Sequence, residues 1–257
     1  MIPYNVVTAW SLSHPWPTRE QIEQDLLLSK AICDIYTNKL LAGELILRGG
    51  TALHKLILSK PHRYSEDLDF VRSSAGGIGA IMKELTELGK LTGFTVKTRI
   101  GQFPKVFWHG GTQTGRDMRI KIEINTYERS PALPLAEATH SVRSDWYSGS
   151  ALVRMFQNEE MAATKIRALF QRAKGRDLFD LWLLTNEIGV DAELVCRAFS
   201  TYRPDGFTQK RAIANLEGKL GDASFLTDIN NMVPSEKSEY DVGKAARQVI
   251  ENYLVNL

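Results

Sequence analysis

Cysteine is scarce in this sequence: Cys33 and Cys196 are the only two in 257 residues, and neither belongs to a C-x-x-C pair or lies near a histidine cluster. A disulfide framework or thiolate metal centre is therefore excluded as an organising element, and both are expected to be reduced core thiols in a cytosolic protein. Long hydrophobic runs are missing too. No segment approaches the roughly eighteen uninterrupted apolar residues of a membrane-spanning helix, and the opening MIPYNVVTAWSLSHPWPTREQ has no basic stretch followed by an apolar one. The chain is thus expected neither to span a membrane nor to leave the cell by a classical signal. There is little excess charge: the net charge is +2 with 24% charged residues, so any basic surface must be local. Repeats, low-complexity tracts, a Walker loop, a G-x-S-x-G elbow and a kinase signature set are all absent. His14, His54, His62, His109 and His140 show no H-E-x-x-H spacing, which leaves zinc hydrolysis without support.

The patterns that are present divide the chain in two. Residues 19–41 place Ile22, Leu26, Leu27, Ala31, Ile32 and Ile35 at helical spacing. A short buried strand follows at 44–47 and runs into Gly49. A helix is expected over 51–58, ended by Pro61, and a strand over 65–71, where polar and apolar residues alternate. After a break at Gly76, Gly77 and Gly79 come a helix over 81–91 and the strands FTVKTRI, KVFWHG and DMRIKIEINTYE. This is a mixed α/β unit with helices on one side of an antiparallel or mixed sheet. From about residue 150 every segment reads as helix, which puts the boundary between two lobes at 143–150.

Chemistry concentrates in RGGTALHKLILSKPHRYSEDLDF. A strand ending in Gly49-Gly50 can turn tightly and bring backbone N–H groups against a ligand, and Thr51 then stands at a helix start, where free N–H groups attract phosphate. Asp67 and Asp69 are two apart on a strand, so both carboxylates leave the same face, an arrangement suited to Mg²⁺ and phosphate oxygens; Ser65 is expected on that face as well. A third carboxylate is usual for two-metal nucleotidyl transfer, and Glu123, on the polar face of RIKIEIN with Lys121 and Asn125, is the candidate. Singly, each feature has an ordinary reading as a turn, a solvated strand face or a cross-strand ion pair. Their order along the chain is what chance seldom supplies. Phe107, Trp108 and Tyr64 are placed to stack on a base, though strand aromatics more often belong to the core.

Taken with DLLLSKAICDIY, KIEIN and EEMAATKIRALFQRAKGRDLFDLW, the motifs LRGGTALHKLIL and RYSEDLDF resemble the DNA polymerase β-like nucleotidyltransferase superfamily, and within it the AbiEii branch of toxins from abortive-infection and MenT-like toxin–antitoxin systems. The superfamily more often carries Gly-Ser where this chain has Gly-Gly-Thr, as is usual for the AbiEii branch, and the third acid here is a glutamate. The resemblance implies that Gly49, Gly50 and Thr51 bind a nucleoside triphosphate and that Asp67 and Asp69 hold Mg²⁺ or Mn²⁺. It also implies that Lys165 contacts the triphosphate as pyrophosphate leaves, and that an aspartate of RDLFDLW, Asp180 or Asp177, belongs to the site. Lys165, Arg167, Arg172, Lys174 and Arg176 fall in an acid-free stretch, readable as a local basic surface or as a solvated helix face.

The resulting expectation is an α+β protein: a nucleotidyltransferase-like lobe over 1–145, and over 146–257 a helical lobe that completes a nucleotide cleft. It would transfer a nucleoside monophosphate to a hydroxyl, with the tRNA 3′ end as leading acceptor and a separately encoded antitoxin as partner. Two rival readings are a transferase acting on a small molecule or protein hydroxyl and a nucleotide-binding regulator without chemistry.

Overall fold

The computed structural model describes residues 2–234 and 239–257. The chain forms two compact units, Met1–Ser130 with Leu135–Met155, and Pro131–Pro134 with Phe156–Leu257.

The first unit begins with α1 (Tyr4–Ser11) and α2 (Arg19–Thr37). α2 starts at a capping box in which the Thr18 side chain accepts from the Gln21 N–H and the Gln21 side chain accepts from the Thr18 N–H. Ile22, Leu26, Ala31, Ile32 and Ile35 are buried as their spacing requires, but Leu27 is only half-buried and Leu28 takes the core position. α3 (Lys39–Glu44) leads into β1 (Leu45–Arg48). Then α4 (Gly49–Ala52) passes directly into a π-helical turn, Leu53–Ile57. β2 (Asp67–Arg72), α5 (Gly79–Leu91), β3 (Thr95–Arg99), β4 (Lys105–Gly111) and β5 (Asp117–Asn125) follow.

Two further strands, β6 (Ala136–Arg143) and β7 (Ser148–Met155), are not evident in the hydrophobic pattern. They are rich in Ser, Thr and Ala, and along β6 alternate residues are exposed. β7 pairs in parallel with β1 through Leu47 and Met155, so the first unit runs to Met155, past the boundary expected at 143–150.

The seven strands are ordered β3-β4-β5-β2-β1-β7-β6. β2 pairs parallel with β5 and antiparallel with β1, making the sheet mixed. Strand alternation sends Leu68, Phe70, Val106, Trp108, Ile120 and Ile122 into the core. Two buried hydrogen bonds set the helices on it. Tyr36 Oη of α2 accepts from Leu47 N at 3.0 Å and donates to Arg154 O at 2.8 Å, tying the helix to β1 and β7 at once. Trp108 Nε1 donates to Leu85 O of α5 at 3.0 Å, and its ring stacks on Phe94. Trp108 is therefore a core residue, unavailable to a base.

Among its described residues the second unit holds helices and no strand. α6 (Asn158–Gln171), α7 (Gly175–Leu183) with a π-helical turn at Leu184–Ile188, α8 (Ala192–Tyr202), α9 (Gln209–Lys219), α10 (Ala223–Thr227) and α11 (Val242–Asn252) precede a 3-10 turn at Leu254–Asn256. The Glu160 carboxylate, fully buried, caps the segment Pro131–Pro134 by accepting from Ala132 N and Leu133 N, and it also accepts from Tyr202 Oη. Cys33 is a buried free thiol as expected, whereas Cys196 is only half-buried. Among the described residues no helix is long and apolar enough to cross a membrane.

Gly89 of α5 shows how closely the helix sits on the sheet, since a Cβ there would lie 2.5 Å from Trp108 Nε1 and 2.7 Å from Val96 Cγ2. Helix propensity alone would make Gly89→Ala stabilising by up to about 1 kcal/mol. The expected outcome is instead a loss of about 1–3 kcal/mol, read as a lower urea midpoint, because the hydrogen-bonded indole cannot move aside.

Candidate active site

Glycine at 49 follows from geometry. Its φ is +79°, in the left-handed region, and a Cβ would lie 3.0 Å from Asp69 Oδ2. The turn after β1 therefore brings the backbone directly against the second aspartate of β2. Gly50 is equally constrained, because a Cβ there would meet the Arg63 guanidinium at 2.2 Å and Ser65 Oγ at 3.4 Å. Thr51 and Ser65 do not present free hydroxyls: their Oγ atoms are 2.8 Å apart, and Thr51 Oγ1 also donates to Asp67 O. Ser65 lies before β2 and not on it, so its hydroxyl fastens the start of α4 to the aspartate strand.

Strand register assembles the charges into rows. Arg48 of β1, Asp69 of β2, Glu123 of β5 and Lys105 of β4 are successive cross-strand neighbours, and Asp67, Lys121 and Phe107 form the adjoining row. All point away from the buried Ile, Val and Trp face. Lys121 Nζ is 2.7 Å from Asp67 Oδ2 and 3.7 Å from Glu123 Oε2, while Lys105 Nζ is 2.9 Å from Glu123 Oε2. Arg48 pairs with Glu128 at 2.9 Å. Among the described residues the Asp69 carboxylate has neither a hydrogen bond nor an ion pair.

Burial raises the pKa of Asp69; Arg48 opposes the shift and Asp67 adds to it. Burial also raises that of Asp67, against the pull of Lys121. Two like charges side by side in a low-dielectric setting favour any added cation. In this arrangement Lys121 supplies the positive charge, and with Asp67 and Glu123 turned toward lysines no group of three or more acidic, His or Cys side chains converges tightly enough to hold a metal ion among the described residues.

The same sheet face continues outward as a basic, aromatic-bearing surface. Arg99 and Lys97 of β3 pair with Lys105 and Phe107 of β4, and Arg119 of β5 lies over the Phe107 ring, 5.3 Å from its centroid. Lys97, Arg99 and Arg119 are exposed.

In the second unit the acid-free stretch turns out to be neutralised internally. Lys165 is buried, with Nζ 2.6 Å from Asp180 Oδ2 and 3.1 Å from Asp177 Oδ1. Arg172 donates to both oxygens of Asp177, and Lys174 and Arg176 pair with Asp228. Burial works against the charge on Asp177, but Lys165 and Arg172 outweigh it and hold its pKa below the ordinary value. Asp177 and Asp180 share a helix face, as their spacing requires, and both are directed at Lys165 with no exposure of their own.

Sequence reasoning missed Arg48, Arg63 and Lys105. Strand period places Arg48 on the Asp69 face and so could have found it; nothing in the sequence signals that Arg63 folds back onto Gly50.

The description of the nucleotidyl transferase AbiEii toxin family, type IV toxin–antitoxin system, matches residues 31–251. A search of curated proteins finds no match. Among solved structures the fold is similar to MenT4, a nucleotidyltransferase toxin from Mycobacterium tuberculosis H37Rv, with TM-score 0.68 and 17% identity over 100% of this chain and 91% of that one. An antigenic nucleotidyltransferase-like protein from Paracoccidioides brasiliensis aligns at TM-score 0.47 and 17% identity, covering 83% of this chain and 94% of that one.

Because the folded-state pKa of Asp69 is raised, the folded state holds the proton more tightly than the unfolded chain, and stability falls as pH rises through that raised value. Asp69→Asn removes the cost of charging. It should raise the thermal midpoint at pH 7, with the gain shrinking toward about pH 4, where the wild-type carboxyl is itself protonated.

Proposed function

Because the chain belongs to the AbiEii nucleotidyltransferase toxin family, we propose that it transfers a nucleoside monophosphate from a nucleoside triphosphate to a hydroxyl of RNA, with the tRNA 3′ end as the first acceptor to test. A partner antitoxin follows from membership in a type IV toxin–antitoxin family. The observation that carries the reaction is the pairing of Asp67 and Asp69 on one strand face, with the Gly49 backbone against Asp69.

In the proposed step the acceptor oxygen attacks the α-phosphorus, the bond to the bridging oxygen of the β-phosphate breaks, and pyrophosphate departs with that electron pair. Glu123, directly across from Asp69, orients the attacking hydroxyl and accepts its proton. Gly49, Gly50 and Thr51 present backbone N–H groups to the phosphates, with side chains at 49 and 50 excluded by Asp69 and Arg63. The family resemblance assigns to Lys165 the offsetting of charge on the leaving pyrophosphate; within the second unit its ammonium is held by Asp177 and Asp180. The donor set fits Mg²⁺ or Mn²⁺ at Asp67 and Asp69: these are hard oxygen ligands whose burial already disfavours their unneutralised charge. When bound, the ion would polarise the phosphoryl oxygens and screen the approach of the attacking oxygen.

RNA is favoured over a small-molecule acceptor by the basic sheet face. Lys97, Arg99 and Arg119 surround Phe107, which supplies a ring for stacking beside cations for a phosphate backbone. The Lys165–Arg176 stretch supports this acceptor less, since Lys165, Arg172, Lys174 and Arg176 are paired with aspartates within the unit.

Purified protein given Mg²⁺, each of four α-labelled nucleoside triphosphates, and total tRNA or total protein decides the reading. Label should appear on tRNA and fall by about two or more orders of magnitude in Asp67→Ala and Asp69→Asn. Label on protein instead would assign a protein hydroxyl as acceptor, and measurable triphosphate binding without transfer to any acceptor would leave a nucleotide-binding regulator.

Charge reversal at Arg99 and Arg119 together should raise KM for RNA by roughly tenfold or more and flatten its salt dependence, with triphosphate affinity unchanged. An unaltered KM would move the acceptor off this face.

A further inference from the structure

The first unit contains a cavity of about 450 Å³ bounded by the N-terminal helix, α2, the π-helical turn with the loop after it, and β6. Its chemistry is one-sided. Lys55 and Lys60 bring ammonium groups, Ser13, Ser59 and Ser141 bring hydroxyls, three histidines bring imidazoles, and no carboxylate belongs to its lining among the described residues.

The built part of the site is Lys55. Its side chain is 5% exposed, and Nζ lies 2.6 Å from Oδ1 of Asp25, which is buried behind it. Trp10 Nε1 donates to the other oxygen of Asp25 at 2.8 Å, so that carboxylate is held on both sides. An ammonium carries three protons. Among the described residues the Asp25 carboxylate is the only ion-pair partner of Lys55, and the Trp10 ring lies 6.0 Å away. Burial at this position pushes the Lys55 pKa down, and Asp25 pushes it back. With protons beyond the one directed at Asp25, this ammonium on the wall of a cavity whose lining holds no carboxylate can give an oxyanion a charge-assisted hydrogen bond.

The imidazoles add no positive charge to that of the lysines. His54 Nδ1 accepts from His62 N at 3.3 Å, which leaves its ring proton on Nε2, and His140 Nε2 lies 3.1 Å from Ser29 O and must donate there. Burial lowers His14 and His140 to about 4, so both are neutral at pH 7 and neither competes with the lysines as a charge.

We propose that this cavity binds a phosphate-bearing anion, a phosphate monoester or free phosphate, between Lys55 and Lys60, at a site separate from the aspartate pair. The volume exceeds one phosphate group and falls in the range of small-ligand pockets, so a nucleoside monophosphate is within its capacity. Lys55 lies four residues after Thr51 on the helix that begins at the glycine pair, so the two regions share one short rigid segment.

Calorimetric titration of the full chain with inorganic phosphate and with AMP, both in EDTA, tests it. Wild type and Asp67→Ala should bind at least one probe saturably at one site, with the His14 and His140 imidazole resonances shifting in parallel. Lys60→Glu and Ser141→Glu, both at exposed positions that leave the fold intact by circular dichroism, should weaken binding by roughly tenfold or more. Phosphate binding without AMP marks a small-oxyanion site, and binding of both a nucleotide site. No saturable binding up to about 10 mM, or binding that Lys60→Glu and Ser141→Glu leave unchanged, overturns the proposal.

Discussion

The repulsion between two carboxylates on one face of one strand is the constraint around which the first unit is arranged. Asp67 and Asp69 are partly removed from water, and burial raises the proton affinity of each. The sheet answers with cations on the flanking strands: Lys121 against Asp67 on one side, Arg48 beside Asp69 on the other. Replacing the aspartates by neutral residues would relieve the sheet. Stability alone does not account for the pair, since neighbouring buried carboxylates of like charge are a cost of the kind met at working centres more often than in purely structural strands.

The two units handle charge in opposite ways. On the sheet face the outer cations Lys97, Arg99 and Arg119 are exposed beside Phe107. Around α6 and α7, Arg172, Lys174 and Arg176 each pair with an aspartate, and Lys165 is enclosed by Asp177 and Asp180. Breaking such a buried network by removing one partner costs about 3–5 kcal/mol, whereas an exposed cation can be reversed with little effect on folding. Location, more than the count of Lys and Arg, separates a surface that can meet a polyanion from one that holds two helices in register.

Much of this was legible in the sequence. The helix of residues 192–202 and the strands around KVFWHG and RIKIEIN follow from period alone, because their apolar residues repeat at helical or strand spacing and the core takes those positions. The glycine pair and the Asp-Leu-Asp strand were likewise readable, and the structure brings them together at Gly49 and Asp69. β6 and β7 were not, since their Ser, Thr and Ala residues leave little apolar signature, and although the two pair with each other as a local hairpin, β7 joins the sheet only through β1, far away in sequence. Thr51 and Ser65 were read as ligand groups, but their hydroxyls satisfy each other, which depends on how the chain returns after the π-helical turn to bring residues fourteen positions apart together. The fold of Arg63 onto Gly50 and the enclosure of Lys55 by Asp25 are tertiary events of the same kind.

The parallel pairing of β1 with β7 joins Leu47 to Met155 across most of the first unit's length. During synthesis, β1 and the glycine turn that follows it lack one of their two neighbours until the chain has been made past Met155. A shorter nascent chain carries that strand as an open edge, available to other strands and to chaperones. Contacts this distant in sequence close slowly, so β1, the strand that leads into the glycine turn and borders the aspartate strand, gains its second neighbour late in folding. A newly made chain would pass through an interval in which the Gly-Gly segment exists as sequence but not yet as shape.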